Sequence, residues 1–107
     1  MKNKPSKKHQ QLLQNPDNQI IRLEGVLNYT KFILSNGKTV MMSYTLKNYQ
    51  ETLDLPFVRV SKSCIINIDF ISTFCKENKK ISLIDGSEIQ ISRRRFDSVL
   101  KGISYLN

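Results

Sequence analysis

Residues 56–67 read Pro56-Phe57-Val58-Arg59-Val60-Ser61-Lys62-Ser63-Cys64-Ile65-Ile66-Asn67, and this stretch decides the fold. Two runs rich in β-branched residues, 57–60 and 64–68, flank a polar corner centred on Lys62. Short runs of this kind, bounded by polar residues, predict β-strands. We therefore expect two neighbouring strands whose corner presents a lysine just after Arg59. Asn67 lies among apolar residues, so we expect its amide to satisfy backbone groups at a bend.

Six further strand-like runs lie on either side of this stretch. They span residues 20–24, 29–35, 39–44, 70–75, 80–84 and 88–92. Asn36-Gly37 and Asp85-Gly86 each separate two of these runs, and such dipeptides tolerate the positive φ angles of tight hairpin turns. The sequence therefore predicts a mainly β domain that contains two antiparallel hairpins around these turns.

Two short helices are predicted among the strands. Residues 45–53 repeat the spacing i, i+3, i+4 and i+7 at Leu46, Tyr49, Gln50 and Leu53. Thr45 suits the N-cap of this helix, which we expect to cover the core and not to read DNA. A second helix is predicted over residues 95–103, with Gly102 weakening its end.

The chain has 107 residues, which is enough for one domain. Residues 1–18 form a basic leader that is predicted to be disordered, and residues 19–107 form the domain. The formal net charge is +8, and half of this excess lies in the first ten residues of the leader, at Lys2, Lys4, Lys7 and Lys8. This charge points to a polyanionic partner. The sequence leaves two interpretations of the leader open: an arm that contacts phosphates, or a tail that is only solvated.

Several classes of function are disfavoured. No run approaches the roughly 20 apolar residues of a membrane span, so we expect a cytoplasmic protein without membrane insertion. Cys64 and Cys75 lie in apolar, β-branched sequence and are both predicted to be buried thiols, and His9 is the single histidine. We therefore expect no metal site, no cofactor and no catalytic residue, and the chain is not predicted to be an enzyme.

A second basic corner follows the last predicted strand, where residues 92–95 read Ser92-Arg93-Arg94-Arg95. Arginine carries a fixed fork of donors that can pair with a guanine edge or clasp a phosphate. On the residues alone this run could equally be a solvated charge cluster before a helix. An RNA-binding module, or a protein-interaction module that uses its basic surface, is also open.

A series of motifs follows one another in an order known from one family. They are Leu23-Glu24-Gly25, Asn28-Tyr29-Thr30, Asn36-Gly37, Thr45-Leu46-Lys47, the residues 57–67 quoted above, Asp85-Gly86 and Ser92-Arg93-Arg94. With them the chain resembles, from about residue 20 to residue 100, the LytTR DNA-binding domain of bacterial transcription regulators. The resemblance implies an elongated arrangement of small antiparallel sheets with one or two short helices. It also implies sequence-specific binding of duplex DNA and transcription regulation, with basic loops that read successive major grooves.

The resemblance implies partners as well. It implies binding at promoter direct repeats, where a second copy can bind beside the first, and response regulator-like control by an upstream signalling or inhibitory protein. Many family members carry a receiver domain before the DNA-binding part, and 107 residues leave no space for one. The chain is therefore expected to be a stand-alone regulator or an excised domain.

The resemblance places DNA contacts at three corners of the fold. The implied residues are Asn28 and Thr30 at the first corner, Arg59, Ser61 and Lys62 at the second, and Arg93, Arg94 and Arg95 at the third. Among these, Lys62 and Arg94 are implied to read base edges. The family commonly has a histidine at the position of Ser61, so a phosphate contact there is expected to be made differently. Cys64 stands where an aromatic residue is usual, which implies local repacking.

Overall fold

The computed structural model describes residues 19–106, with side chains through residue 104. Within these residues the chain forms eight strands, two α-helices and two 3-10 turns. In chain order they are β1 (Ile20–Val26), β2 (Tyr29–Leu34), β3 (Thr39–Met42), α1 (Leu46–Thr52), β4 (Phe57–Ser61), β5 (Cys64–Asn67), a 3-10 turn (Ile68–Phe70), β6 (Ile71–Cys75), β7 (Lys80–Leu83), β8 (Glu88–Gln90), a 3-10 turn (Arg93–Arg95) and α2 (Phe96–Leu106). The predicted mainly β class is confirmed. The predicted basic leader lies outside the described residues.

The larger sheet has five strands in the order β3-β2-β1-β5-β4. All its pairings are antiparallel, and Leu23 of β1 lies opposite Phe32 of β2 on one side and Ile65 of β5 on the other. Since β1 and β5 lie at the centre, their backbone groups are paired on both edges. The other three strands pair outward from these two central strands.

Both faces of β5 are covered. Ile65 belongs to a first hydrophobic core, whereas Cys64 and Ile66 belong to a second core on the opposite face. All four residues of β5 are buried. A continuous apolar run, in place of strict alternation, is what a strand covered on both faces requires. The five-stranded sheet is therefore a middle layer between two cores.

The first core lies between the five-stranded sheet and α1. Leu46 and Tyr49 of α1 are buried against it, and the Tyr49 ring meets the Phe32 ring edge to face with centroids 5.0 Å apart. The Thr45 hydroxyl accepts a hydrogen bond from the Asn48 backbone N–H at 3.4 Å, which confirms the predicted N-cap. The predicted core-covering role of this helix is also confirmed.

The second core lies between the five-stranded sheet and a layer formed by the three-stranded sheet, β6-β7-β8, and α2. A Cβ atom on Gly102 would lie 3.0 Å from Cγ2 of Val58, so glycine lets α2 pack closely against β4. Helix α2 continues past Gly102 to Leu106, beyond the predicted end at Ile103. Neither α-helix of the described residues is long and apolar enough to cross a membrane.

Both predicted hairpin turns are confirmed. Gly37 and Gly86 have φ angles of 87° and 88°, which a residue with a Cβ atom rarely adopts. In each turn the side chain before the glycine also stabilises the backbone. Asn36 accepts a hydrogen bond from the Lys38 backbone N–H, and Asp85 accepts one from the Ser87 backbone N–H. Turn chemistry therefore sets the register of both hairpins.

The two cysteines differ in environment. Cys64 is buried, as predicted, and burial raises the pKa of its thiol to about 11. The prediction that Cys75 is buried is wrong, because this residue is exposed. It ends the edge strand β6, where the neighbouring Phe74 packs towards the second core and the next side chain points away. Asn67 has the predicted structural role, since its amide donates to the Ile20 carbonyl at 2.9 Å.

Candidate nucleic-acid interface

The corner between β4 and β5, residues 61–64, is held in place by its neighbours. The Ser63 backbone N–H donates to the Ser61 hydroxyl at 3.3 Å, and the Ser63 carbonyl accepts a hydrogen bond from the Gly25 backbone N–H at 2.9 Å. The second bond ties the corner to the end of β1. Lys62 is exposed between these anchored residues. The corner therefore presents a lysine from a fixed backbone.

Arg59 braces the same corner from the side. Its guanidinium donates to the Gln50 side-chain oxygen and to the Lys62 carbonyl, both at 2.7 Å, and to the Ser61 carbonyl at 3.2 Å. Three of its five N–H groups are thereby used within the protein, which leaves two for an outside partner. The guanidinium joins α1, β4 and the corner in one network.

The 3-10 turn formed by Arg93–Arg95 lies against the end of β4. The Ser92 backbone N–H donates to the Val60 carbonyl at 2.9 Å, and the Arg95 backbone N–H closes the turn on the Ser92 carbonyl at 3.1 Å. Arg93 and Arg94 are exposed, whereas Arg95 is half-buried. Since Val60 lies just before the Lys62 corner, the arginines and the lysine share one end of the fold.

The arginines of this surface repel one another. Partial burial, and then the positive charges of Arg95 and Arg94, lower the pKa of the Arg59 guanidinium. Among the described residues, the ion pairs involve only Arg22 and Lys80 as cations, so none of these three arginines is paired with a carboxylate. Clustered like charges are unfavourable on their own, and an anionic partner would relieve their repulsion.

The turn between β1 and β2 adds a third segment to this surface. Leu27, Asn28 and Tyr29 are all exposed. Leu27 and Tyr29 line an open groove of about 310 Å³ together with Lys47 and Lys62. The predicted first and second corners therefore meet across one groove, and the arginine turn lies beyond the second.

Thr30 does not reach this surface. The residue is fully buried, and its hydroxyl donates to the Tyr44 carbonyl at 2.6 Å. Thr30 shares a strand face with Phe32 and Leu34, which belong to the first core, so the period of two along β2 turns it inward. In this structure the side chain therefore faces the first core, whereas the neighbours Asn28 and Tyr29 are exposed at the corner. The DNA contact expected of Thr30 stays a prediction.

Two residues of the surface were not predicted from the sequence. Gln50 holds Arg59, and Lys47 lines the groove from the first turn of α1. Helical spacing identifies both as neighbours of the core face, but it does not show that either reaches the Lys62 corner.

The basic surface is bounded on one side by carboxylates. A neighbouring groove between the two sheets contains Glu24 and Glu88. These carboxylates pair with Arg22 at 3.1 Å and with Lys80 at 3.2 Å, respectively. Within the part of the chain that the structure describes, no group of three or more His, Cys, Asp or Glu side chains could hold a metal ion.

Comparisons with known proteins identify the fold and the family of the chain. One solved structure, the LytTr DNA-binding domain of a methyl-accepting/DNA response regulator from Bacillus cereus, superimposes with a TM-score of 0.66 at 19 % identity. The match covers 80 % of this chain and 81 % of that one. No curated protein matches the chain. The family model of the LytTr DNA-binding domain matches residues 10–104, and the chain therefore belongs to the LytTR DNA-binding domain family.

Proposed function

We propose that this domain recognises specific duplex DNA sequences with the surface formed by its three corners and thereby regulates transcription. The observation that carries the proposal is the convergence of Lys62, the arginine turn and the β1–β2 turn at one end of the fold. These segments are attached to paired strands, so they present cations and donors from a rigid base. A rigid and basic set of loops is well suited to the grooves of DNA.

The residues of this surface have different roles in the proposal. Lys62 and Arg94, which are exposed, read base edges in the major groove, with guanine as the favoured partner of the arginine fork. Arg93, Arg95, Ser61 and Asn28 make phosphate contacts that set the register of the protein. Arg59 directs three donors to the corner and to α1, so it positions Lys62 and offers its remaining donors to a phosphate.

Selection of preferred duplexes from a random pool tests the proposal most directly. We expect enrichment of a defined site, and Arg94→Ala should weaken binding to that site by roughly 1 to 3 kcal/mol while relaxing its sequence preference. Lys101→Ala, on the exposed surface of α2, removes one positive charge away from the three corners and serves as the control. Equal weakening of Arg94→Ala on selected and random DNA would contradict base reading.

The arrangement of selected sites tests the finer part of the proposal. Two half-sites in direct orientation, about one helical turn apart, would support two copies on one face of the DNA. Inverted half-sites would instead indicate a two-fold dimer. Competition among duplex DNA, single-stranded RNA and an acidic protein separates DNA binding from RNA binding and from a protein-interaction role.

A further inference from the structure

The tip of the β1–β2 hairpin carries an apolar side chain that the fold does not bury. Leu27 is 95 % exposed, the highest value among the exposed large hydrophobic residues of the described chain. Its φ angle is 56°, in the left-handed region that leucine disfavours and that asparagine or glycine accepts. At this position leucine therefore contributes neither burial nor a favourable backbone conformation.

The two flanking residues extend the apolar surface. Val26 and Tyr29 lie opposite each other in the register of β1 and β2, directly beneath the turn. They are 37 % and 50 % exposed. We call Val26, Leu27 and Tyr29 together the apolar tip. Contiguous exposed apolar groups of this kind mark contact surfaces more often than single scattered ones do.

The surroundings of the apolar tip indicate its partner. Leu27 and Tyr29 line the same groove as Lys47, Arg59 and Lys62. An apolar patch on a protein partner would have to seat beside these cations. The major groove of DNA matches both features, because it displays the thymine C5-methyl group between two rows of phosphates.

We propose that Leu27 contacts a thymine methyl group in the major groove, with Tyr29 packed beside it, and so specifies a thymine in the binding site. The inference rests on the proposed function and adds one base to the sequence that the domain reads. Lys47 brings a positive charge to the groove that can meet a phosphate, and Lys62, which reads a base edge in the proposed function, lies in the same groove as the leucine and so places it near the base edges. Contact with the methyl group would give this leucine a role that asparagine, which suits the backbone conformation better, cannot fill.

The test uses the full chain and its selected duplex, with each thymine replaced in turn by deoxyuridine, which lacks only the C5-methyl group. We expect one or two replacements to weaken binding of the wild-type protein roughly three- to tenfold. Leu27→Asn should bind the thymine and deoxyuridine duplexes equally, and less tightly than the wild type binds the thymine duplex. Because asparagine accepts a positive φ, the thermal stability of this variant should not fall.

Ile84→Asn is the matched control. Ile84 is 56 % exposed at the turn after β7, at the opposite end of β8 from the arginines, so this variant should keep the wild-type response to deoxyuridine. Indifference of the wild type to every replacement, or an unchanged response in Leu27→Asn, would overturn the inference. Equal DNA affinity of Leu27→Asn combined with loss of a second copy at the adjacent half-site would assign the tip to a protein contact and overturn it as well. If the wild type shows no preference among duplexes, the proposed function itself fails.

Discussion

At the Lys62 corner, a single guanidinium connects three parts of the chain. The Arg59 side chain reaches the Gln50 amide oxygen and the carbonyls of Ser61 and Lys62. The planar guanidinium donates its hydrogen bonds in fixed directions, and a lysine ammonium of the same charge cannot reproduce this geometry. The contribution of Arg59 to binding should therefore depend on its geometry more than on its charge.

Arg59→Lys should lower affinity for the selected duplex although the charge is retained, because the backbone of the corner is no longer braced. Gln50→Ala should weaken binding in the same direction, since it removes one anchor of the same guanidinium without removing any charge. Binding titrations over a range of salt concentrations should show an unchanged salt slope for both variants. Wild-type affinity in Gln50→Ala would show that Arg59 acts without positioning the corner.

Thr30→Val should lower the free energy of unfolding by about 1 to 2 kcal/mol, because it removes the buried bond from the Thr30 hydroxyl to the Tyr44 carbonyl while nearly keeping the shape of the side chain. Denaturant titration measures this change. Affinity for the selected duplex should stay at the wild-type value under conditions where the variant is folded. Clearly weakened binding by folded Thr30→Val would show that Thr30 contributes to the DNA interface.

At the scale of single elements, the turn after β7 couples a hairpin to the five-stranded sheet. Asp85 accepts hydrogen bonds from the hydroxyl and the backbone N–H of Ser87, and its other oxygen lies 3.8 Å from Nε of Arg22 on β1. Partial burial alone would raise the pKa of the Asp85 carboxyl, but the Ser87 bonds and the Arg22 charge together hold it below its usual value.

The lowered pKa of Asp85 predicts a pH dependence of stability. Its stabilising contribution is complete above the ordinary aspartate pKa of about 3.9 and disappears as the pH falls through the lowered value in the folded protein. Asp85→Asn should therefore lower the free energy of unfolding at neutral pH by less than about 1 kcal/mol, since the group is partly exposed. The difference from wild type should shrink in acid. Glu77→Gln, which also removes one carboxylate charge but at an exposed position, is the control for the change in net charge.

The sequence predicts an element correctly where the local backbone geometry alone determines it. The glycines at positions 37 and 86 and the cap at Thr45 each depend on local geometry, and all three are found as expected. The errors come from tertiary packing. Helix α2 packs closely against β4 at Gly102 and runs past its predicted end, and Cys75 is exposed because alternation along β6 turns it away from the second core. Gln50 reaches Arg59 only through folding, so no local pattern identifies this contact.

On the scale of the whole molecule, the positive charge is divided between two regions. The formal net charge is +8, and the four lysines in the first ten residues, which contain no acidic residue, supply half of it. Charges on the corners are attached to a backbone that is hydrogen-bonded to the strands, so they can discriminate among bases. Charges in the leader can add attraction to any phosphate backbone, whatever its sequence.

Removal of residues 1–15 should reduce the salt dependence of binding and leave sequence preference unchanged. The slope of log K against log salt should become shallower by about 0.9 for every phosphate that the leader neutralises. Fluorescence titrations at several salt concentrations, on selected and on random duplexes, measure both quantities. An unchanged slope would show that the leader lysines do not touch phosphates, and a changed preference would show that they read sequence.

The central strands β1 and β5 have a consequence for the evolution of binding sites. These strands are joined to the corner segments, because the Gly25 backbone N–H bonds to the Lys62 corner and the neighbouring β4 bonds to the arginine turn through Val60. Because β1 and β5 are packed against two cores, substitutions in the interior are expected to change the spacing of the corners, and substitutions on the corners are expected to leave the two strands in place. Under the proposed function, preference for a new binding site should therefore arise from substitutions at exposed corner residues, with the spacing between the contacted bases unchanged.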